Sequence, residues 1–279
     1  MNELMKKEDT SVSTEVKSLS VGTEASDLMQ DYLVPRLLLQ QGLSEAVSNG
    51  EAFVGDVIRS TTGEAVFTCV QANKTDTRDI PRVSRENPIR IIPLGIRMVW
   101  TKMELINEKW EYRGNEPRNA QTAGLAQEYE ENGTQWRRYA TIDVFALLER
   151  DIDAELADES SDGMPDLSKM LLPVYLSFRS TSLKAGKEIS TYFSNILNYR
   201  AKGKNIFPFS FSLPVWVEKT ENDKGVFGVW KASQATKPVS TSHFEKAQVW
   251  FENITKGFVK VDEVVEAEHT APSQDGPKF

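Results

Sequence analysis

The stretch Leu171–Trp230 constrains the fold more than any other part of the chain. Val174, Leu176 and Phe178 alternate with Tyr175, Ser177 and Arg179, the period-two pattern of a strand with one buried face. Ser180, Thr181 and Ser182 follow as helix-start hydroxyls. Ile189, Tyr192, Phe193, Ile196 and Leu197 then recur at spacings of three and four, the apolar stripe of a helix. Lys184, Lys187, Ser190, Ser194 and Asn198 fall on its wet side. Gly203 is placed to end that helix, with Arg200, Lys202 and Lys204 around the exit. Phe207, Phe209, Phe211, Leu213, Val215 and Val217 take every second position of a long strand. Asn222-Asp223-Lys224-Gly225 turns it into a hairpin partner, Val226–Trp230. The unit is strand, helix, strand, strand, with its cations bunched around the helix.

Composition narrows the classes open to the chain. With 279 residues, 39% of them apolar, it has material for one large core or two modest ones. No run of 18 apolar residues occurs, so no transmembrane helix is expected. Met1–Lys7 has no apolar segment of the kind a secretory signal needs. Cys69 is the one cysteine, which excludes an internal disulfide and suits a reducing cytoplasm. With His243 and His269 as the two histidines, a Cys/His zinc site is not expected, and no cofactor is implied.

A net charge of −8 speaks at first against a polyanionic partner, but its distribution reverses that impression. Residues 169–260 carry 14 basic and 6 acidic groups, whereas residues 151–168 carry 7 acidic groups and no basic one. Residues 1–31 hold 3 basic and 7 acidic groups, and residues 261–279 hold 1 and 5. A positive field over one region is the electrostatic footprint of a polyanion binder, and also of a solvated lysine-rich surface.

Along the chain, residues 1–30 are polar and aperiodic and read as a disordered arm. Residues 31–260 form the β-rich domain. Its first part shows an apolar run at Tyr32–Leu39, a helical turn at Ser44–Ser48 and a hairpin of Phe53–Arg59 with Glu64–Val70. Ile89–Ile106 reads as a strand bent at Pro93 and Gly95. Residues 113–135 read as a loop with a helical turn near Gly124–Tyr129, and Arg137–Leu148 as a strand. Residues 151–168 read as a solvated acidic linker inside the domain. Ser242 to Glu245 fits a capping box, with Phe244, Ala247, Phe251 and Ile254 as the stripe behind it and Gly257 as its end. Residues 261–279 read as an acidic disordered tail ending in Phe279.

Catalytic patterns are sparse. Neither G-x-x-x-x-G-K-[ST] nor G-x-G-x-x-G occurs. A nucleophile–base pair would need His243, at a helix start, or His269, in the tail. Asp151, Asp153 and Glu155 are the candidate magnesium ligands of a nuclease. They lie in a stretch without cations and with little apolar content, where a rigid site is hard to build, so no enzyme is expected.

The aromatic residues point elsewhere. Tyr175, Trp216 and Trp230 fall at strand positions opposite the Phe/Val stripe or at strand ends. Rings on a basic sheet surface suit single-stranded nucleic acid, because every base offers a π-face for stacking. Arg179, Lys184, Lys187, Arg200, Lys202 and Lys204 are the cations placed to neutralise phosphates.

Val34-Pro35-Arg36-Leu37-Leu38-Leu39-Gln40-Gln41-Gly42, Gly55-Asp56-Val57-Ile58 and Thr62-Gly63-Glu64 resemble the opening of bacteriophage single-stranded DNA-binding proteins. Leu172-Pro173-Val174-Tyr175-Leu176-Ser177-Phe178-Arg179-Ser180-Thr181-Ser182, with Ala185-Gly186-Lys187, resembles the same group. The resemblance spans residues 32–230 and implies an OB-like barrel that binds single-stranded DNA in replication and recombination, in the cytoplasm of an infected cell. It also implies a tail that docks replication or recombination enzymes through Phe279, although Lys278 departs from the usual acidic ending.

The expected fold is α+β and β-rich, with an OB-like barrel or sandwich core, two main helices and disordered termini. The expected function is sequence-independent binding of single-stranded DNA, with oligomers open. A phage structural or assembly protein and a magnesium-dependent DNA-processing enzyme built on Asp151–Asp166 are the alternatives.

Overall fold

A computed structural model describes residues 33–42, 44–71, 76–159, 171–223, 225–255 and 260–261. The arm expected over residues 1–30, residues 160–168 of the expected linker, Gly257 and the tail beyond Val261 lie outside them. Strand accounts for 44% of the described residues and helix for 26%, which makes the chain strand-rich α+β.

The strands are β1 (Leu33–Val34), β2 (Arg36–Leu39), β3 (Asp56–Arg59), β4 (Ala65–Cys69), β5 (Arg82–Val83), β6 (Ile89–Ile106) and β7 (Lys109–Pro117). They continue as β8 (Glu128–Glu131), β9 (Thr134–Leu148), β10 (Val174–Arg179), β11 (Phe211–Asn222), β12 (Gly225–Ala232), β13 (Lys237–Pro238) and β14 (Lys260–Val261). The helices are α1 (Glu45–Ser48), α2 (Glu149–Glu159), α3 (Leu183–Ala201) and α4 (Thr241–Thr255). Among the described residues α1 stands at the expected helical turn and α3 and α4 are the two main helices expected, while α2 was not expected. Twelve strands form one sheet in the order β12-β11-β6-β9-β10-β2-β3-β4-β5, with β13, β7 and β8 attached beside β11, β6 and β9. β1 and β14 pair apart from it, in parallel.

The barrel expected from the sequence does not close; the sheet is open. Its edge strand β12 nevertheless comes round to β2 and β3, five and six places along the ladder. A Cβ on Gly228 would lie 3.0 Å from Leu39 Cδ1 and 3.4 Å from Gly55 Cα. Side chains occupy the backbone groups that a closing strand would use. The Gln41 amide donates to the Gly228 carbonyl at 3.2 Å, and its oxygen accepts from the Gly228 N–H at 3.0 Å. Ser182 Oγ accepts from the Trp230 N–H at 3.0 Å. An edge satisfied in this way has little left to offer another strand.

Two apolar clusters lie on the two faces of the sheet. Ile91, Ile142, Val144, Val174, Leu176, Phe178, Leu213, Val215 and Val217 meet Ala185, Ile189, Tyr192, Phe193 and Ile196 of α3 on one face. Ile92, Leu94 and Leu147 meet Ile152 of α2, the Phe209 turn and Ala247 of α4 on the other. Phe207 and Phe209 therefore do not extend β11; Pro208–Ser210 is a 3-10 turn that tucks Phe209 against Phe244 and Phe251.

The expected linker is not solvated over its residues 151–159, which belong to helix α2. Ile152 is fully buried, and the acids around it are spoken for. Asp151 meets Arg59 at 2.8 Å, Asp153 meets His243 at 2.9 Å and Glu155 meets Lys246 at 3.3 Å. The partners come from β3 and α4, remote in sequence, which hides the helix from any local reading of charge. The cap of α4 is also displaced from the expected capping box: Ser240 Oγ, not Ser242, accepts from the His243 N–H at 3.2 Å.

β6 runs for 18 residues and its register against β9 shifts between Pro93 and Gly95. Beyond Met98, β6 and β9 continue outward with β7 and β8 as their flanks, giving a four-stranded extension. Residues 109–117 and 128–131, expected to lie mostly in a loop, are its two outer strands.

α3 reaches its seat because Gly186 has no side chain. A Cβ there would lie 2.7 Å from the Phe178 Cβ and 2.9 Å from the Ile142 Cβ, both fixed to strand backbones. Gly to Ala in a helix interior ordinarily gains about 1 kcal/mol, while overpacking a core costs about 1–3 kcal/mol. With contacts this short the second effect wins. Gly186→Ala is expected to lower stability by about 2 kcal/mol in urea unfolding.

Candidate nucleic-acid interface

The packing of α3 fixes which of its side chains face water. With Ala185, Gly186, Ile189, Tyr192, Phe193 and Ile196 buried, Lys184, Lys187, Thr191, Ser194, Asn195 and Asn198 are turned outward and exposed. Gly203, at φ +76°, ends the helix in the left-handed conformation that glycine adopts readily. Arg200, Lys202 and Lys204 are exposed around that exit, and the Arg200 guanidinium lies 4.9 Å from the Phe207 ring centroid. The helix is about 28 Å long, so these cations form a row rather than a point.

No carboxylate among the described residues forms an ion pair with Lys184, Lys187, Arg200, Lys202 or Lys204. Glu188 lies at the flank of the row and accepts from the Gln234 amide at 2.9 Å. The first turn of α3 holds no acidic residue and carries Lys184 instead. A cation at the positive end of a helix dipole is unfavourable by a few tenths of a kcal/mol to about 1 kcal/mol. The hydroxyls expected to cap this end are not spent on it: α3 has no side-chain cap, and Ser182 serves Trp230 instead. The helix runs on directly from the 3-10 turn Ser180–Ser182, with the Leu183 N–H donating to the Ser180 carbonyl, so what marks this end is lysine where a carboxylate would be favoured.

Two further exposed side chains lie near the row. Leu197, expected in the apolar stripe, is 63% exposed, and Tyr199 is 52% exposed. Tyr199 stands one residue before Arg200 and three before Lys202, so an uncovered ring is set among cations.

The three rings singled out by the sequence are elsewhere. Tyr175, Trp216 and Trp230 are all buried. Trp230 belongs to the apolar cluster under α3, and Tyr175 is covered by side chains of the sheet itself. Tyr175 lies between the Arg36 and Arg97 guanidiniums, with the ring of Phe145 edge-on at 5.3 Å. Its hydroxyl accepts from Arg97 Nη2 at 2.8 Å, and Arg97 Nε donates to Asp143 at 3.0 Å. Burial, with Asp143 close by, pushes the phenol above its ordinary pKa. Trp216 Nε1 donates to Glu218 at 2.7 Å, and Trp230 packs edge-on against Phe178 at 6.2 Å. Arg179 is half-buried and has a partner within the fold. Phe279 lies outside the described residues.

Of the acids weighed as magnesium ligands, Asp151 and Glu155 are ion-paired and Asp153 lies against the His243 ring, as described above. Among the described residues no group of three or more His, Cys, Asp and Glu is placed to hold a metal ion. No helix among them is long and apolar enough to cross a membrane.

The sequence reading missed a second aromatic and cationic cluster, on the four-stranded extension. Tyr129 and Trp136 stack as a cross-strand pair with centroids 6.2 Å apart and planes 14° apart. Lys102 Nζ lies 4.8 Å from the Trp136 centroid, and the Arg138 guanidinium 3.8 Å from that of Tyr129. On the opposite face Arg137 lies 4.4 Å from the Trp110 centroid. Trp136-Arg137-Arg138-Tyr139 carries the signal in the sequence, since aromatic and arginine residues fall on both parities of one strand.

Comparison with protein-family models, curated proteins and solved structures finds no match to this chain.

Tyr175→Phe separates the buried ring from the exposed row. It is expected to cost about 2 kcal/mol in urea unfolding, because a hydrogen bond to a charged partner is lost. Affinity for single-stranded DNA should be unaltered in a titration of the same variant.

Proposed function

We propose that the chain binds single-stranded DNA without sequence preference, through the outward face of α3. The observation that carries this reading is the row of Lys184, Lys187, Arg200, Lys202 and Lys204 along and beyond one helix, without a carboxylate partner among the described residues. Its lysines begin at the helix end where they are least favourable for stability. Phosphates would relieve that repulsion, and Tyr199 offers a ring face to an unstacked base. Lysines on flexible stems and a lone ring carry no base-specific geometry, so the affinity we infer depends on the backbone and on stacking rather than on sequence. The setting we propose, phage replication or recombination in an infected cell, rests on the resemblance of residues 32–230. No step of bond making or breaking enters this reading.

Fluorescence anisotropy of a labelled oligothymidylate, titrated with the full chain at several salt concentrations, tests it. Replacing Lys184, Lys187, Lys202 and Lys204 by Ala should flatten the slope of log affinity against log salt by about three, at roughly 0.7 per phosphate contact. Tyr199→Ala should weaken binding by about 1–3 kcal/mol with the slope unchanged, because stacking releases no counterions. A salt slope that survives the fourfold replacement would move the site off α3.

A further inference from the structure

The strand register carries the α3 face onto the extension. Gly186 of α3 lies against Ile142. From Ile142 outward along β9, Ala140, Arg138 and Trp136 point to the same side. Their partners on β6 are Met98, Trp100, Lys102 and Glu104, paired without a shift. The face that α3 covers at Ile142 therefore continues, about 20 Å further on, as the cluster of Lys102, Arg138, Trp136 and Tyr129. Met98, between the two, is 39% exposed.

We propose that this cluster is a second contact for the same DNA strand, with Trp136 and Tyr129 stacking unpaired bases and Lys102 and Arg138 meeting phosphates. The proposal rests on the DNA-binding reading of α3 and extends its site. Neither ring belongs to either apolar cluster of the core, and both are half-buried. They pack on each other and under cations instead. Glu116 holds both cations, Lys102 at 2.9 Å and Arg138 at 3.4 Å. Glu104, opposite Trp136 on the same face, is held by Arg113, so Glu116 alone stands between Lys102 and Arg138, and the Arg118 guanidinium over Trp100 at 4.9 Å adds to the positive balance. The acidic neighbour Glu128 is engaged by Arg137 at 2.7 Å, across the sheet from this cluster.

The arrangement suits an exchange. A phosphate draws Lys102 and Arg138 off the ring faces, and a base takes their place. Stacking on an aromatic ring is stronger than an exposed cation–π contact, so the exchange runs toward the nucleic acid. A strand lying on both surfaces is held at two places, and the longer contact raises its affinity over that of a strand reaching α3 alone.

The test compares two oligothymidylates, of about 8 and about 24 nucleotides, on the full chain, a single fold binding about 4–16 nucleotides. Trp136→Ala should weaken binding of the longer strand by about tenfold and leave the shorter one unchanged, while Trp136→Phe restores the longer strand's affinity. Retained binding of the shorter strand shows that the variant is folded. Equal affinities of Trp136→Ala and the unaltered chain for the longer strand would overturn the second contact alone. Failure of the unaltered chain to bind either strand would overturn the DNA-binding reading and this contact with it.

Discussion

The close approach of α3 to β9 and β10 at Gly186 governs the arrangement of the rest. It lets Ala185, Ile189, Tyr192, Phe193 and Ile196 enter the apolar cluster shared with Ile142, Val144, Leu176 and Phe178. A large buried side chain contributes about 1.5–3 kcal/mol. Four such residues outweigh the few tenths to 1 kcal/mol lost by placing lysine at the helix N-terminus. Packing therefore decides how α3 is rotated, and the cations follow to the outside. Ser182 to Trp230 and the Tyr192 hydroxyl to the Pro208 carbonyl, at 2.6 Å, pin the start and the middle of the helix to the same body. Lys184, Lys187 and Arg200 are accordingly held by a rigid element, with Lys202 and Lys204 on the turn that leaves it.

Much of this was legible in the sequence, because the signals are local. The alternation at Val174–Phe178, the stripe at Ile189–Ile196 and the Gly203 stop follow from periods of two and 3.6 and from the conformation of one residue. What was hidden depends on contacts between distant segments. The acidic run after Leu148 carries one fully buried residue, Ile152, and its acids find Arg59, His243 and Lys246 only when the sheet and α4 are in place. Charge composition alone reads such a run as solvated. The open sheet was hidden for a related reason. Whether β12 closes a barrel depends on the Gln41 side chain 187 residues away in the chain, which takes the edge groups of Gly228.

The candidate site was legible in its cations and not in its rings. Lys184 and Lys187 face outward, as the helical period requires, and Arg200, Lys202 and Lys204 are exposed where the chain leaves the helix. Tyr175, Trp216 and Trp230 were placed outside on strand parity, which separates inside from outside only when one face of a sheet is bare. Here Trp230 lies in the cluster under α3, and the side chains of Arg36, Arg97 and Phe145 surround Tyr175. The rings left outside the core are Tyr199, at the end of the helical stripe, and Tyr129 and Trp136, half-buried under cations on strands that run past the helices. Their exposure follows from where the covering layer ends, and a sequence does not mark that point.

The central claim is that one continuous face, α3 with the outer part of β9, meets the DNA strand. Lysine acetylation footprinting by mass spectrometry, on the full chain with and without saturating oligothymidylate, tests it most directly. The account predicts protection of Lys184, Lys187, Lys202, Lys204 and Lys102, with Lys237 and Lys246, bound to Glu149 and Glu155, unchanged. Reactivity that stays the same at the α3 lysines while the oligonucleotide is bound would contradict it.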